Sequence, residues 1–484
     1  MRTSLTHPLQ IASVPTGPNY GRIGITFCPG KKQESALTGS WDRDLAIDLD
    51  AVAHWGASAV VTLLEAHEIS GLNVDALGAA VATRHMDWFH LPIVDVSTPG
   101  PSFEQAWQCA GPAIRARLRD GFDILVHCKG GRGRAGMIAA RLLAEFGTPP
   151  EQAVERVRAA RPGAIETSAQ EAYVLAIDPM PEPVPTMDIS SIRDRGVGAL
   201  LGLAVGDAIG TTLEFSTRDS RPPLTDMMGG GPFSLKPGQW TDDTSMALAL
   251  AASLDAYPNL READLMRRFA RWYENGDYSS TGRCFDIGST TRQALMRWRA
   301  SGDPISGSTD PHSAGNGSLM RLSPVAIRHW QDREKLSDIV ARQSATTHAA
   351  LEAIDACRVF ADILADAIEG KPRSEVMRRR DGVWAGKIGD IAAGSWRGKR
   401  RDQISSSGYV VHCLEAALWS VGRTSDFRSA VLTAANLGDD ADTTAAVAGQ
   451  LAGALYGASS IPPDWLQKLA WEPRIRAMAE ALLA

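Results

Sequence analysis

The sequence predicts two domains in tandem, an α/β layer with a mostly parallel central sheet followed by an all-helical bundle. Three observations predict it. Through about residue 180, β-branched runs alternate with helical periods; from Asp178 the segment DPMPEPVPTMDIS carries four prolines; beyond it strand-like runs nearly vanish. Alternating strands and helices favour a parallel sheet, whereas Ala-, Leu- and Gly-rich periods favour helix on helix.

The elements follow in order. IGITFC (core 24–28), SAVVTLLE (58–65), HLPIVDVS (90–97) and FDILVHC (122–128) read as strands. DLAIDLDAVAHWG and AWQCAGPAIRARLRDG between them suit amphipathic helices. The boundaries expected are 1–178 for the first domain, 179–192 for a stiff proline-rich linker and 193–484 for the second domain. In the second domain Gly198, Gly202, Gly206 and Gly210 recur on one helix face, as close packing against another backbone requires. The uncharged stretch from Thr443 to Pro463 is rich in Gly, Ala, Ser and Thr, which suits a buried helix better than a membrane span.

Composition narrows the function. The net charge of −6 over 484 residues falls evenly on the two sides of residue 180, so neither domain is a basic nucleic-acid binder. Six scattered cysteines with no CxxC pair argue against a disulfide framework or a structural zinc site. The N-terminus MRTSLTHPLQ has no apolar core of a signal peptide, and a cytoplasmic protein without membrane contact is expected. The cluster Arg378, Arg379, Arg380, Arg397, Lys399, Arg400 and Arg401 reads as a solvated face.

The first chemistry-bearing motif is HCKGGRGRAG, between the strand FDILVHC and the helical MIAARLLAEFG. A strand, a glycine loop and a helix start aim backbone N–H groups and the helix dipole at one point, a nest for phosphate built from Lys129, Gly130, Gly131, Arg132 and Gly133. The same field favours the thiolate of Cys128, a nucleophile for phosphoryl transfer. Arg134 can hold two phosphate oxygens, and Asp95, from a loop over the pocket, can protonate the leaving oxygen and later activate water. HCxxGxxR with an upstream Asp resembles the cysteine-dependent tyrosine and dual-specificity phosphatases. GRIGITFCPGKK, HLPIVDVSTP and RPGAIETSAQEAYVL look like the cyclin-dependent-kinase-associated branch, over roughly residues 20–178. The resemblance implies phosphomonoester hydrolysis without a cofactor, on a phosphorylated substrate. It also marks Ala135 as a departure: Ser or Thr usually follows the arginine and helps the thiolate leave, so slowed turnover is expected.

The second domain holds three acidic clusters, GDAIGTTLEF (206–215), WTDDTSMAL (240–248) and GDDADTTAAVAG (438–449), without interleaved Lys or Arg. Carboxylate and hydroxyl ligands with no Cys suit Mg²⁺ or Mn²⁺, and two converging clusters would make a two-metal site. These segments, with CFDIGSTTRQAL, GNGSLMRLSPVA, TTHAA and SSGYVVHCLEAALW, resemble the ADP-ribosylglycohydrolase family in family order over nearly all of 193–484. The last of them looks like the bacterial branch that includes the dinitrogenase-reductase-activating glycohydrolase.

That resemblance implies two Mg²⁺ or Mn²⁺ held by Thr241, Asp242, Asp243, Asp440, Asp442 and Thr443, with Glu214 at the edge as ligand or gate. It implies Asp286 facing the reacting ribose, the diphosphate reached by backbone amides of Gly315, Asn316, Gly317 and Ser318, an adenine platform at Tyr409 and a ribose contact at His348. Asp439 stands where glycine is commoner. The reading is a bifunctional hydrolase releasing ADP-ribose from an ADP-ribosylated protein or small-molecule conjugate, with arginine the acceptor by family analogy and an ADP-ribosylated nucleic acid left open. The alternatives are salvage of a small phosphorylated ADP-ribose metabolite, or an ADP-ribose binder with an impaired phosphatase domain.

Overall fold

The computed structural model describes residues 1–34, 36 and 39–484. The chain separates into two compact units, residues 1–183 with 397–400, and residues 184–396 with 401–484.

In the first unit the strands are β1 Ala12–Pro15, β2 Arg22–Phe27, β3 Lys32–Gln33, β4 Trp41–Asp42, β5 Ala57–Thr62, β6 Asp87–His90 and β7 Asp123–Cys128. Five make one sheet in the order β1-β2-β7-β5-β6, with β1 antiparallel to β2 and the other pairings parallel. β3 and β4 form a separate two-stranded pair. The central strands are buried on both faces, which explains their unbroken apolar runs. Ile124 and Val126 of β7 point into a core with Trp107, Ile114, Ile138 and Leu142, while Leu125 points the other way to Leu49, Val52, Leu77 and Val81. Helices thus cover both faces, and central β7 delivers Cys128 at its carboxyl end, where open α/β sheets place their sites.

One expected strand is displaced. The run assigned to 90–97 pairs only over Asp87–His90, because Pro92 has no N–H to continue the ladder. The chain stays close beyond it, through Leu91 N–H to the Thr62 carbonyl (2.9 Å) and Ile93 N–H to the Leu63 carbonyl (3.1 Å). That continuation carries the loop with Asp95 toward the end of β7.

The second unit is built from helices, and among its described residues β-pairing is confined to isolated bridges. Its first helix, Ile189–Gly210, starts four residues ahead of residue 193, because Asp188 caps it by accepting from the Ser191 N–H (2.9 Å). The segment Ile189–Leu213 is long and apolar enough to cross a membrane, yet 94% of its apolar window is buried in the bundle. Its glycine stripe packs antiparallel on helix Ala441–Tyr456. A Cβ at Gly198, Gly202, Gly206 or Gly210 would lie 2.3, 2.2, 2.1 or 2.3 Å from the carbonyl oxygens of Gly453, Gly449, Ala445 and Ala441. Backbone thus meets backbone along four turns, which only glycine permits. The crossing sets the C-terminal end of the first helix, with Asp207 and Glu214, against the N-terminal end of the other. Within the basic cluster, Arg378 and Arg380 pair with Asp362 and Asp366, and Arg401 with Asp219.

Candidate active sites

In the first unit, residues 129–132 loop from β7 into helix Gly133–Glu145. Gly131 takes φ 68°, and a Cβ there would lie 2.3 Å from the Thr26 backbone, so glycine is required. Its N–H points at Cys128 Sγ (3.3 Å), and the Arg161 Nε–H holds its carbonyl (3.0 Å). Cys128 is 3% exposed, at the bottom of the loop.

Arg134 is engaged more fully than the sequence suggested. Its Nη1 donates to Glu68 Oε2 (2.6 Å) and the Ile93 carbonyl (2.9 Å), and its Nη2 donates to Glu68 Oε1 (2.9 Å) and pairs with Asp95 (2.9 Å). Only the buried Nε lacks a partner. Glu68 thus holds the guanidinium plane and Asp95 closes over it, at the position from which Arg134 was expected to hold two phosphate oxygens. Burial pushes the Glu68 carboxyl up, but the bonds from Arg134 outweigh it and hold the group below its usual range. Asp95 itself is half-exposed, on a loop where Val96 takes φ 61°.

Two contributors to this site escaped sequence reasoning. Glu68 lies 66 residues from Arg134 and betrays itself only as the far half of a capping box with Glu65. Lys31 donates to the Lys129 carbonyl (3.4 Å) and lies 4.2 Å from the Trp41 ring centre; burial lowers its ammonium to about 8.

In the second unit a cavity of about 780 Å³ gathers most of the expected residues. Its acidic wall is formed by Glu214, Asp242, Asp286, Asp440, Asp442 and Thr443, and another wall by Gly315, Asn316, Gly317 and His348. Thr241 and Asp243 lie directly beneath, with Thr241 Oγ1 3.2 Å from both Asp243 and Asp442 carboxylate oxygens.

Two helix starts converge here, one capped by a carboxylate of the first helix and the other by a carboxylate of the turn that follows it. Asp207 accepts from the Thr241 N–H (2.9 Å) and the Thr244 N–H (3.0 Å) at the start of helix Asp242–Ala256, and from both hydroxyls (2.8 and 2.7 Å). Glu214 accepts from the Ala441 N–H (2.8 Å) and the Asp442 N–H (3.3 Å) at the start of helix Ala441–Tyr456. Asp207 was not among the expected ligands, although GDAIG contains it.

The donor set fits hard cations. Carboxylate oxygens of Asp207, Asp243 and Asp442, and those of Glu214, Asp440 and Asp442, form two groups, within each of which the oxygens lie within 4.8 Å of one another. None of these carboxylates has a Lys or Arg partner among the described residues, and the buried Asp243 Oδ1 has no partner of any kind. Burial, then the charge of neighbouring carboxylates, pushes Asp207 and Asp440 up to about 7 and Asp442 to about 6, and raises Glu214, Asp242 and Asp243 well above the ordinary range. Buried carboxylates this costly are relieved by taking up protons or by binding a cation. Asp286, at φ 59°, faces the same cluster, and burial takes it up to about 7.

Other expectations need revision. The Gly315 and Asn316 amides donate to the carbonyls of Ser313 (2.8 Å) and Gly408 (3.1 Å) and are not free for a diphosphate; the Asn316 side chain donates to Asp440 (2.6 Å). The glycines serve by size: a Cβ on Gly317 would lie 2.7 Å from the His348 ring. Burial lowers His348 to about 3, so it is a neutral wall with Nδ1 2.8 Å from Thr347 Oγ1. Ser318 is fully buried, in contact with Ser344 and Cys357. Tyr409 is not in the cavity wall; its hydroxyl donates to Glu352 (2.5 Å).

Comparison with known proteins agrees with both halves. Residues 40–174 match a Swiss Army Knife protein, DSP-PTPase phosphatase domain, and residues 188–484 match the ADP-ribosylglycohydrolases. An ADP-ribosylarginine hydrolase, Tri1, of Pseudomonas putida (strain GB-1) is 49% identical over 299 residues, covering 61% of this chain and 80% of that protein. The ADP-ribosyl-(dinitrogen reductase) glycohydrolase of Rhodospirillum rubrum is 37% identical over 303 residues, covering 61% of this chain and 97% of its own. A solved structure described as an ADP-ribosylglycohydrolase-related protein complex superposes with a TM-score of 0.55 at 39% identity, over 61% of this chain and 99% of that one. The chain therefore belongs to the ADP-ribosylglycohydrolase family, with a phosphatase domain of the tyrosine and dual-specificity class fused ahead of its glycohydrolase domain.

Proposed function

We propose that the second unit hydrolyses the bond between C1 of the distal ribose and the guanidinium of an ADP-ribosylated arginine. The observation that carries this reading is the convergence of three acidic segments and Asp286 on one cavity large enough for a nucleotide. The 49% identity to a protein named ADP-ribosylarginine hydrolase supports the choice of acceptor. Thr241, Asp242, Asp243, Asp440, Asp442 and Thr443, with Glu214 and Asp207, would hold two divalent cations, Mg²⁺ or Mn²⁺. Bound there, the cations would lower the pKa of water and polarise the ribose hydroxyls.

The chain's own residues do the rest. Asp286, held close to neutrality by burial, exchanges a proton at physiological pH: its carboxylate takes one from water as the oxygen bonds to C1, and returns it to the guanidine nitrogen as the C1–N bond breaks. ADP-ribose and unmodified arginine leave. His348 and the glycines shape the opposite wall and exclude water. If Asp242→Ala with Asp440→Ala kept full release of ADP-ribose, or chelation with EDTA had no effect, this function would be wrong.

For the first unit we infer phosphomonoester hydrolysis. Cys128 attacks phosphorus, the ester P–O bond breaks, and Asp95 protonates the leaving oxygen; water then cleaves the S–P bond with Asp95 as base. Phosphate reaches Arg134 as Asp95 swings away from it, taking up Nη2 and the free Nε. Equal steady-state rates for wild type and Cys128→Ser on an aryl phosphate would refute it.

A further inference from the structure

We propose that Phe215 and Asp439 form the acceptor side of the glycohydrolase cavity and hold the planar cation of the modified arginine, an inference that rests on the hydrolase reading above. Both residues line the cavity, and both take the left-handed backbone conformation, at φ 57° and 56°. Non-glycine residues seldom adopt it, and it persists where neighbours enforce it. Here the Phe215 N–H donates to the Asp439 carbonyl and the Asp439 N–H to the Ser216 carbonyl, both at 2.8 Å. The two strained residues are thus clamped to each other.

The consequence is a division between sequence neighbours. Glu214 turns inward to the Ala441 and Asp442 amides, and Asp440 to Asn316, while Phe215 is left 68% exposed and the Asp439 side chain faces solvent. The Phe215 ring is not loose: it stands edge-on to Phe233 at 6.2 Å, and Phe233 packs at 5.2 Å on Phe285, the residue before Asp286. An aromatic row therefore leads from the mouth to the reacting group. The Asp439 side chain makes no hydrogen bond among the described residues; Arg218 feels its charge but donates to the carbonyls of Leu437, Arg401 and Ile404.

An aromatic face beside an exposed carboxylate with open hydrogen-bonding capacity complements a guanidinium, by cation–π contact and by a charged hydrogen bond. The same carboxylate repels a diphosphate. The substrate is anionic at one end and cationic at the other, so Phe215 and Asp439 fix which end enters first and select arginine over an uncharged hydroxyl acceptor.

The test is calorimetric, on the full chain with Mg²⁺ in an Asp286→Asn background that does not cleave, comparing ADP-ribosyl-arginine with free ADP-ribose. The conjugate should bind about tenfold tighter than free ADP-ribose. Phe215→Ala and Asp439→Asn should each abolish that difference and leave ADP-ribose affinity unchanged. Equal affinities in the parent, a difference that survives both variants, or a Phe215→Ala loss shared by free ADP-ribose, as for an adenine platform, would overturn the proposal. Whether wild type releases ADP-ribose from the conjugate is a separate measurement, which decides the hydrolase reading and not this one.

Discussion

Ala135 sits completely buried in the first turn of the helix that follows the glycine loop after Cys128. With a methyl group there, the thiolate leaving a phosphocysteine has no hydroxyl to donate to it. Pre-steady-state assay of an aryl phosphate should show a burst of one equivalent followed by slow release. Ala135→Ser should keep the burst and raise the slow rate about tenfold, the effect of one hydrogen bond to a charged group. Asp207 presents the opposite case, a residue that acts by what it holds. It accepts four hydrogen bonds at the start of helix Asp242–Ala256, so Asp207→Asn should shift the Mg²⁺ concentration that half-restores activity upward by roughly 10- to 100-fold. Its role was hidden in the sequence because it depends on contacts 34 and 37 residues away. Cys128 and the Asp-Thr clusters were legible because their chemistry is written in consecutive residues. Glu68 and the altered duty of Arg134 were not, since only the fold brings residues 66 apart into register.

The glycine-striped helix and its partner matter at the scale of elements. Adding one methyl group at Gly202 or Gly206 puts a carbon about 2 Å from a backbone oxygen, and neither backbone can give way without moving the other. Gly202→Ala and Gly206→Ala should each destabilise the second unit by roughly 3 kcal/mol, read as a drop in its unfolding midpoint in urea. Gly389→Ala, at a helical position with open space around it, should be neutral or slightly stabilising. The sequence announced this stripe by its four-residue spacing and left its partner unnamed, because Gly449 and Gly453 sit within a helix that is buried on every side. The displaced strand near residue 90 taught a similar lesson, as apolar alternation continued past Pro92 where the regular ladder ends at His90.

For the molecule as a whole, the two proposed chemistries use unrelated resources, and each should fail alone. EDTA should stop release of ADP-ribose and leave the aryl phosphate burst intact, while Cys128→Ser should do the reverse. Stability should respond to pH through the acidic centre. Asp207, Asp440 and Asp442 have folded-state pKa values near 6 to 7, above those of the unfolded chain. Without cations, their contribution favours folding below the unfolded pKa of about 4 and is lost as pH rises through 6 to 7. Mg²⁺ should therefore raise the Tm more at about pH 8 than at about pH 5, checked by calorimetry with and without EDTA.

The centre is also closed by residues from opposite ends of the second unit: Glu214 caps a helix whose first N–H lies 227 positions later. A chain still being synthesised has made the early carboxylates long before Asp440 and Asp442 appear. Such a nascent chain has assembled neither carboxylate group, since both need Asp442, and on the hydrolase reading its second unit should stay silent until the closing helix docks along the glycine stripe. The proposed glycohydrolase activity is thereby tied to completion of the second unit's fold.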